Sequence, residues 1–380
     1  MKKIKLMHVQ LQPLLSGVQN MMLTLLGGLE KEKYEIYVLS RGHGELVNKV
    51  RDMGFIHISL QNFVSEISWF DFHVALQLVK IFWFIKPDIV HTHSSKPGFL
   101  GRIIARLMGI SLIIHTVHGF SFHAQQSGIK FWFYQKLEQF AANFAHYNVM
   151  VNNRDREYAI TTLGFDPQKT ITIYNGISPG KKKKYPFLRQ KRFHDINKND
   201  VHALQIVSVC RFTAQKNISQ TLKQATQIVK SLSGITFTFY GDGELFSECQ
   251  NHVQKNNNTE RIILKGWQNN IIAELPQYDV FLLNSAWEGL SIAILEAMSV
   301  GLPIICSRIN GNLELVDQSN GWLIEPFDDK GIRNVLEEII IDPNLLAIKG
   351  NNSYNKVTNQ FHQELFISKY NQIYDLCKEK

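Results

Sequence analysis

The sequence predicts an α/β protein of two Rossmann-like domains, and three observations carry that reading. At 380 residues the chain is long for one domain, and two domains of roughly 150 to 200 residues are the natural division. Short apolar runs alternate with helix-like segments, which is the pattern of βαβ units and parallel sheets. Glycine or small polar residues repeatedly follow those runs, at the sheet edge where α/β proteins place their ligand sites.

The elements follow in order. Ile4–Val9 reads as a buried strand and Gln10–Gly17 as the loop after it, with Gly17 opening a helix to about Leu29. A glycine at such a turn lets backbone approach a ligand, and the helix end can take an anion. Further strands are expected at Tyr34–Leu39, Phe55–Leu60 and Asp88–His91. His91 and His93 form a His-x-His pair facing one way, a metal-ligand spacing for which no third ligand is evident. Ser94–Gly98, including Lys96, reads as a second tight strand-to-helix loop. The strand Leu112–Val117 ends in His118-Gly119-Phe120, which suits a side chain aimed into a cleft; His115 and His123 are rivals for that role. Gly128–Phe144 is an aromatic-rich helix. Phe133, Leu137, Phe140 and Phe144 share a face expected to pack in the core, while Lys130, Trp132 and Lys136 leave room for an interfacial membrane role.

The second half starts with Leu204–Val209. Arg211 and Lys216, five residues apart at the end of that strand, are placed to clamp phosphates. Ile235–Tyr240 closes in Gly241-Asp242-Gly243, and Arg261–Gly266 precedes Trp267. Tyr278–Pro303 then joins a buried strand, Val280–Leu283, to a polar elbow, Asn284–Gly289, and a helix that Gly301 and Pro303 end. Glu288 and Glu296 stand eight steps apart, a helical rise of ~12 Å. That exceeds the ~5 to 9.5 Å of paired glycosidase carboxylates and suits holding two ends of an elongated ligand around a diphosphate.

Composition narrows the class. A hydrophobic content of 44% supplies real cores and argues against disorder. No apolar run reaches the ~18 residues of a transmembrane helix, and the N-terminus enters a strand-like segment without a signal-peptide core. Cys210, Cys249, Cys306 and Cys377 form no metal pattern and suggest a reducing, cytoplasmic compartment. The net charge of +8 is compatible with nucleic acid, anionic membrane or phosphorylated substrates. No nucleic-acid motif is present, and the dense run Lys181–Lys184 through Arg192 reads as a solvated linker.

The stretch E-G-L-S-x-x-x-L-E-A-M followed by G-L-P, at Glu288–Pro303, resembles the donor-site motif of glycosyltransferase family 4, retaining enzymes of GT-B fold. Arg211-Phe212 with Lys216-Asn217 resembles the family's diphosphate site, and Asn175-Gly176-Ile177 the turn that ends its first domain. Gly311 and Glu314 fit its G-x-x-E, although Ser307–Asn310 departs from the commonest form. Ser16 stands where relatives often carry a second glycine before Gly17.

The resemblance implies two Rossmann-like domains with parallel sheets facing a central cleft. These are an acceptor-binding domain at 1–178, a basic linker at 179–200, a nucleotide-sugar domain at 201–355 and a returning C-terminal helix at 356–380. It assigns the donor to Arg211, Lys216, Gly241, Gly243, Trp267, Glu288, Gly289, Leu290, Ser291 and Glu296. The reacting centre goes to His118 with Glu288, Arg211 and Lys216, and an acceptor or phosphate loop to Ser16, Gly17, Ser94 and Lys96. The absence of Asp-x-Asp implies a metal-independent enzyme with no cofactor. H-T-H-S-S-K-x-G-x-L-G-R with H-T-V-H-G-F resembles the bacterial capsule, exopolysaccharide and O-antigen subgroup. That resemblance implies a donor that is commonly a UDP-linked, often N-acetylated sugar and an acceptor commonly linked to polyprenyl diphosphate, with the protein at the cytoplasmic face of the inner membrane. A sugar-nucleotide epimerase of related fold and a non-catalytic subunit of a polysaccharide assembly are the alternatives.

Overall fold

A computed structural model describes residues 2–64, 69–120, 128–180 and 204–379. Most of the basic linker and His123 lie outside the described residues. The chain forms two compact units, Met1–Gly176 with Gln363–Lys380, and Ile177–His362.

The first unit runs β1 (Ile4–Val9), α1 (Gly17–Gly27), β2 (Tyr34–Arg41), α2 (Glu45–Asp52), β3 (Ile56–Leu60), α3 (Phe70–Ile85), β4 (Ile89–His93) and α4 (Ser95–Leu107). It continues through β5 (Leu112–Val117), α5 (Ile129–Ala142), β6 (Tyr147–Met150), α6 (Asn153–Thr161) and β7 (Thr170–Thr172). All seven strands are parallel, in the order β3-β2-β1-β4-β5-β6-β7. The order reverses direction between β1 and β4, where His8 pairs in register with His91. Val74, Leu78 and Phe82 of α3 pack with Met7, Leu39 and Val90 of the sheet in one core.

The second unit holds β8 (Leu204–Val209), α7 (Ile218–Ser231), β9 (Ile235–Tyr240), α8 (Phe246–Lys255), β10 (Ile262–Leu264), α9 (Ile271–Glu274), β11 (Val280–Leu283) and α10 (Ile292–Ser299). After these come β12 (Ile304–Ser307), α11 (Asn310–Leu315), β13 (Gly321–Ile324), α12 (Gly331–Ile341) and α13 (Asn344–Gln360). Its six strands are also parallel, ordered β10-β9-β8-β11-β12-β13, with the reversal between β8 and β11. Phe237, Val280, Leu282 and Ile305 are fully or almost fully buried in its core. Strands covered on both faces need continuous apolar runs, and VFLL at β11 is one. The last helix, α14 (Gln363–Asp375), belongs to the first unit and buries Phe366, Tyr370, Ile373 and Tyr374 there.

One expectation about packing is corrected. The aromatic face of α5 does not enter a core: Phe140 is 55% exposed, and Phe133 and Trp132 are exposed as well. Among its described side chains, α5 buries Glu138, Ala141 and Ala142. A larger apolar surface lies on α3, whose outer side carries Trp69, 99% exposed, with Phe72, Leu76, Trp83 and Phe84.

Candidate active site

In an open parallel sheet, ligands bind beyond the carboxyl ends of the strands where the strand order reverses. Both sheets gather their chemistry at that point.

In the second unit, β8 delivers Arg211 and Lys216, and β11 delivers the elbow carrying Glu288. Lys216 Nζ forms an ion pair with Glu288 Oε1, and both side chains are mostly buried. Ser285 Oγ donates to the same oxygen at 2.6 Å, so Oε1 is taken, whereas Oε2 has no side-chain partner among the described residues. Behind this pair Ser307 Oγ donates to Ser285 O at 2.5 Å, and Asn312 Nδ2 donates to Ser307 O at 2.9 Å. Gln215 ties the β8 loop to the elbow: Ala286 N donates to Gln215 O at 2.8 Å, and Gln215 Nε2 to Trp287 O at 3.1 Å. Gly311 matters here, because a Cβ on it would lie 1.9 Å from Gly289 O. The elbow therefore seats against bare backbone.

Arg211 is exposed and has no side-chain partner among the described residues. Gly241, at φ +132, lies so close to Cys210 O that a Cβ would sit 1.8 Å from it. Gly243 likewise takes a positive φ, +157. Trp267 is half-exposed and donates from Nε1 to Asn269 Oδ1 at 3.0 Å. Ser291 caps α10, accepting from Ile294 N at 3.4 Å, and Leu290 beside it is buried. The helix begins only at Ile292, so the helical rise reckoned from Glu288 to Glu296 applies to its second half alone. Glu296 projects from α10 with no side-chain partner among the described residues, and burial pushes its carboxyl up to about 7. At the end of β11 the amide of Asn284 is buried with neither Nδ2 nor Oδ1 hydrogen-bonded, an orphan of the kind found where a ligand completes a site.

In the first unit, His118 follows β5 and its Nε2 lies 3.1 Å from His93 Nδ1. The third imidazole that the sequence did not reveal is His8 of β1. His8, His91 and His93 place ring nitrogens within 4.8 Å of one another. Burial holds His8 down to about 3 and His118 to about 4, and His91 and His93 well below the usual range. His115, its rival, is buried: it lies 2.9 Å from Thr92 Oγ1 and 3.6 Å from Glu138, which pairs with the buried Arg102 at 2.7 Å.

Two of the residues expected to hold acceptor or phosphate, Ser16 and Lys96, have side-chain partners. Ser16 donates to Gln19 Oε1, ahead of Gly17 at the start of α1. Ser94 takes φ +65 at the head of α4. Lys96 is paired with Asp71 of α3 at 2.5 Å rather than presented as a free cation.

Two family models cover most of the chain. Glycosyltransferase Family 4 matches residues 15–181, and Glycosyl transferases group 1 matches residues 189–356. An Escherichia coli protein named UDP-Gal:alpha-D-GlcNAc-diphosphoundecaprenol alpha-1,3-galactosyltransferase is 36% identical, covering 98% of this chain and 97% of the relative. The chain belongs to glycosyltransferase family 4. This family 4 glycosyltransferase is also 22% identical to the Staphylococcus aureus capsular polysaccharide biosynthesis glycosyltransferase CapM, over 91% of each chain. Its GT-B fold matches Anabaena Alr3699/HepE, solved with UDP and glucose, at a TM-score of 0.79 and 16% identity over 98% of this chain and 99% of that one.

Proposed function

We propose that this glycosyltransferase moves a sugar, hexosyl or N-acetylhexosaminyl, from a UDP-sugar to a hydroxyl of a glycan on a polyprenyl diphosphate. The transfer retains configuration at the anomeric carbon and serves the synthesis of a surface polysaccharide. The observation that carries the reading is the Lys216–Glu288 ion pair at the β8–β11 reversal, with Arg211 on the same sheet edge and Glu296 on α10 both without side-chain partners among the described residues. The E. coli relative, named for a UDP-Gal donor and a GlcNAc-diphosphoundecaprenol acceptor, supports the substrate classes.

The chemistry follows from charge. As the glycosidic bond breaks, negative charge grows on the departing diphosphate, and preorganised donors aimed at that charge supply most of such catalysis. Arg211, Lys216 and the backbone amides at Gly289–Ser291 are those donors. Glu288, fixed through Oε1, offers Oε2 to hydroxyls of the donor sugar, and Glu296 offers its carboxylate to the ribose hydroxyls. His118 of the first unit is assigned a role in the reaction. The acceptor hydroxyl attacks from the face the nucleotide leaves and gives its proton to the departing diphosphate, and the reaction proceeds without metal.

The first unit also meets the membrane that carries the acceptor. Its α3 is apolar on both sides, one buried in the core and one lined with exposed aromatics and flanked by Lys80 and Lys86. Aromatic side chains beside lysines suit the interfacial zone of an anionic bilayer. Among the described residues no helix is long and apolar enough to cross one.

The deciding experiment is a thermal-shift screen of the full chain against UDP-, GDP- and TDP-sugars, repeated with Glu296→Ala. UDP-sugars alone should stabilise, by about 2.7 kcal/mol at a hundredfold excess over Kd, and the variant should lose most of it. No shift with any nucleotide overturns the reading. Transfer to a synthetic polyprenyl-diphosphate GlcNAc, with the product's anomeric configuration read by NMR and the assay repeated in EDTA, then tests retention and metal independence.

A further inference from the structure

We propose that a buried line of six hydrogen bonds, from Tyr370 on α14 to His118, locks His118 as its Nδ1–H tautomer and so makes it a hydrogen-bond donor toward substrate. The role given to His118 rests on the function proposed above; the line of bonds does not.

The line can be followed atom by atom. Tyr370 Oη lies 2.8 Å from Thr116 Oγ1, and Thr116 Oγ1 lies 2.7 Å from His91 Nε2. His91 Nδ1 is 2.7 Å from Tyr374 Oη, which in turn is 3.2 Å from His8 Nε2. His8 Nδ1 is 2.9 Å from His93 Nε2, and His93 Nδ1 is 3.1 Å from His118 Nε2. All the side chains before His118 are buried.

Each group has one proton to give. Burial keeps the four imidazoles neutral and raises both phenols, so every histidine carries a single N–H and every hydroxyl a single O–H. Six bonds among seven such groups then run in one direction throughout: a reversal at a histidine would set two donors or two acceptors face to face, and one at Thr116 or Tyr374 would leave a buried O–H without an acceptor. The end of the line fixes that direction. The buried Tyr370 hydroxyl has Thr116 as its sole side-chain partner among the described residues, and a buried donor left unmade costs more than an unused lone pair. Tyr370 therefore donates to Thr116, Thr116 to His91, His91 to Tyr374 and Tyr374 to His8. His8 donates to His93, and His93 Nδ1–H to His118 Nε2. The proton of His118 is left on Nδ1, which has no partner among the described residues. His118 can then support an oxygen that gains charge, but it is not set up as a general base on that nitrogen.

The same count disposes of a metal on His8, His91 and His93. All six of their ring nitrogens already hold a bond within the line, and an ion would break it in several places.

The test is long-range ¹H–¹⁵N correlation NMR on full-length protein labelled at histidine, with His118 assigned by comparison with His118→Gln. Wild type should show a protonated Nδ1 and a bare Nε2 at His118. His93→Phe, which removes the partner of His118 Nε2, should give mixed tautomers at His118 and a kcat at least tenfold lower with donor KM within twofold. Tyr370→Phe, by contrast, leaves the buried Thr116 hydroxyl as the end donor and should keep the direction. Thr116→Ser keeps the hydroxyl and should leave tautomer and kcat unchanged. An Nε2–H tautomer in wild type, an unaltered tautomer in His93→Phe, or about one equivalent of bound metal by elemental analysis overturns the proposal. The expected tautomers with no glycosyl transfer in wild type would sink the proposed reaction and leave the lock standing.

Discussion

Glu296 is a carboxyl that burial holds near neutrality, on a helix whose other polar groups are engaged. Ribose hydroxyls donate to a carboxylate, so nucleotide binding favours the ionised form and draws that raised pKa down. The sign follows. Above pH 7 the group is already charged and binding costs no deprotonation; below pH 7 each unit costs about 1.4 kcal/mol. UDP affinity should therefore fall by about tenfold from pH 8 to pH 6, as read by calorimetry. Glu296→Gln, which cannot ionise, should bind more weakly at pH 8 and lose most of that slope; an unchanged slope would place the titrating group elsewhere. Glu288 differs because Lys216 and Ser285 already occupy one of its oxygens. The motif spacing pointed to both glutamates, but nothing in it told the paired one from the unpaired one. That distinction depends on Ser285, Ser307 and Asn312, short polar residues without a spacing that marks them.

Strands were the most legible elements. Ile4–Val9, Leu112–Val117, Leu204–Val209, Ile235–Tyr240 and Val280–Leu283 stand where their apolar runs put them, because a strand covered on both faces has few polar positions to blur its ends. Helices were harder. Period 3.6 shows that α5 has an aromatic face but not what lies against it, and Phe133 and Phe140 turn out exposed. In α3 the apolar residues run right round, so no moment marks an outer face; the sheet takes one side and leaves Trp69, Phe72 and Trp83 outside. If that side meets a bilayer, the protein should sediment with anionic liposomes at low salt. Phe72→Ser with Trp83→Ser should release it while leaving the thermal midpoint within a few degrees, since neither side chain is in the core. Indifference of the wild type to such liposomes would refute the membrane contact.

Across the whole molecule, what stayed hidden is what topology brings together. His8 and His93 are 85 positions apart and meet because β1 pairs with β4; no local pattern announces that. Tyr370 and Tyr374 come from further still, on a helix built into the first unit after the chain has completed the second. Phe366, Tyr370, Ile373 and Tyr374 are all buried there, and at roughly 1.5 to 3 kcal/mol each they amount to a whole domain's typical net stability of about 5 to 15 kcal/mol. Truncation after His362 should thus leave Ile177–His362 resistant to limited proteolysis while the first unit is cut; equal resistance in both would show that α14 is dispensable. The same return of the chain sets an order in time. His8 leaves the ribosome 366 residues before Tyr374, a wait of roughly 20 to 70 s at usual synthesis speeds. The half made first must stay unfinished until α14 has been made, while the half made second can already have folded.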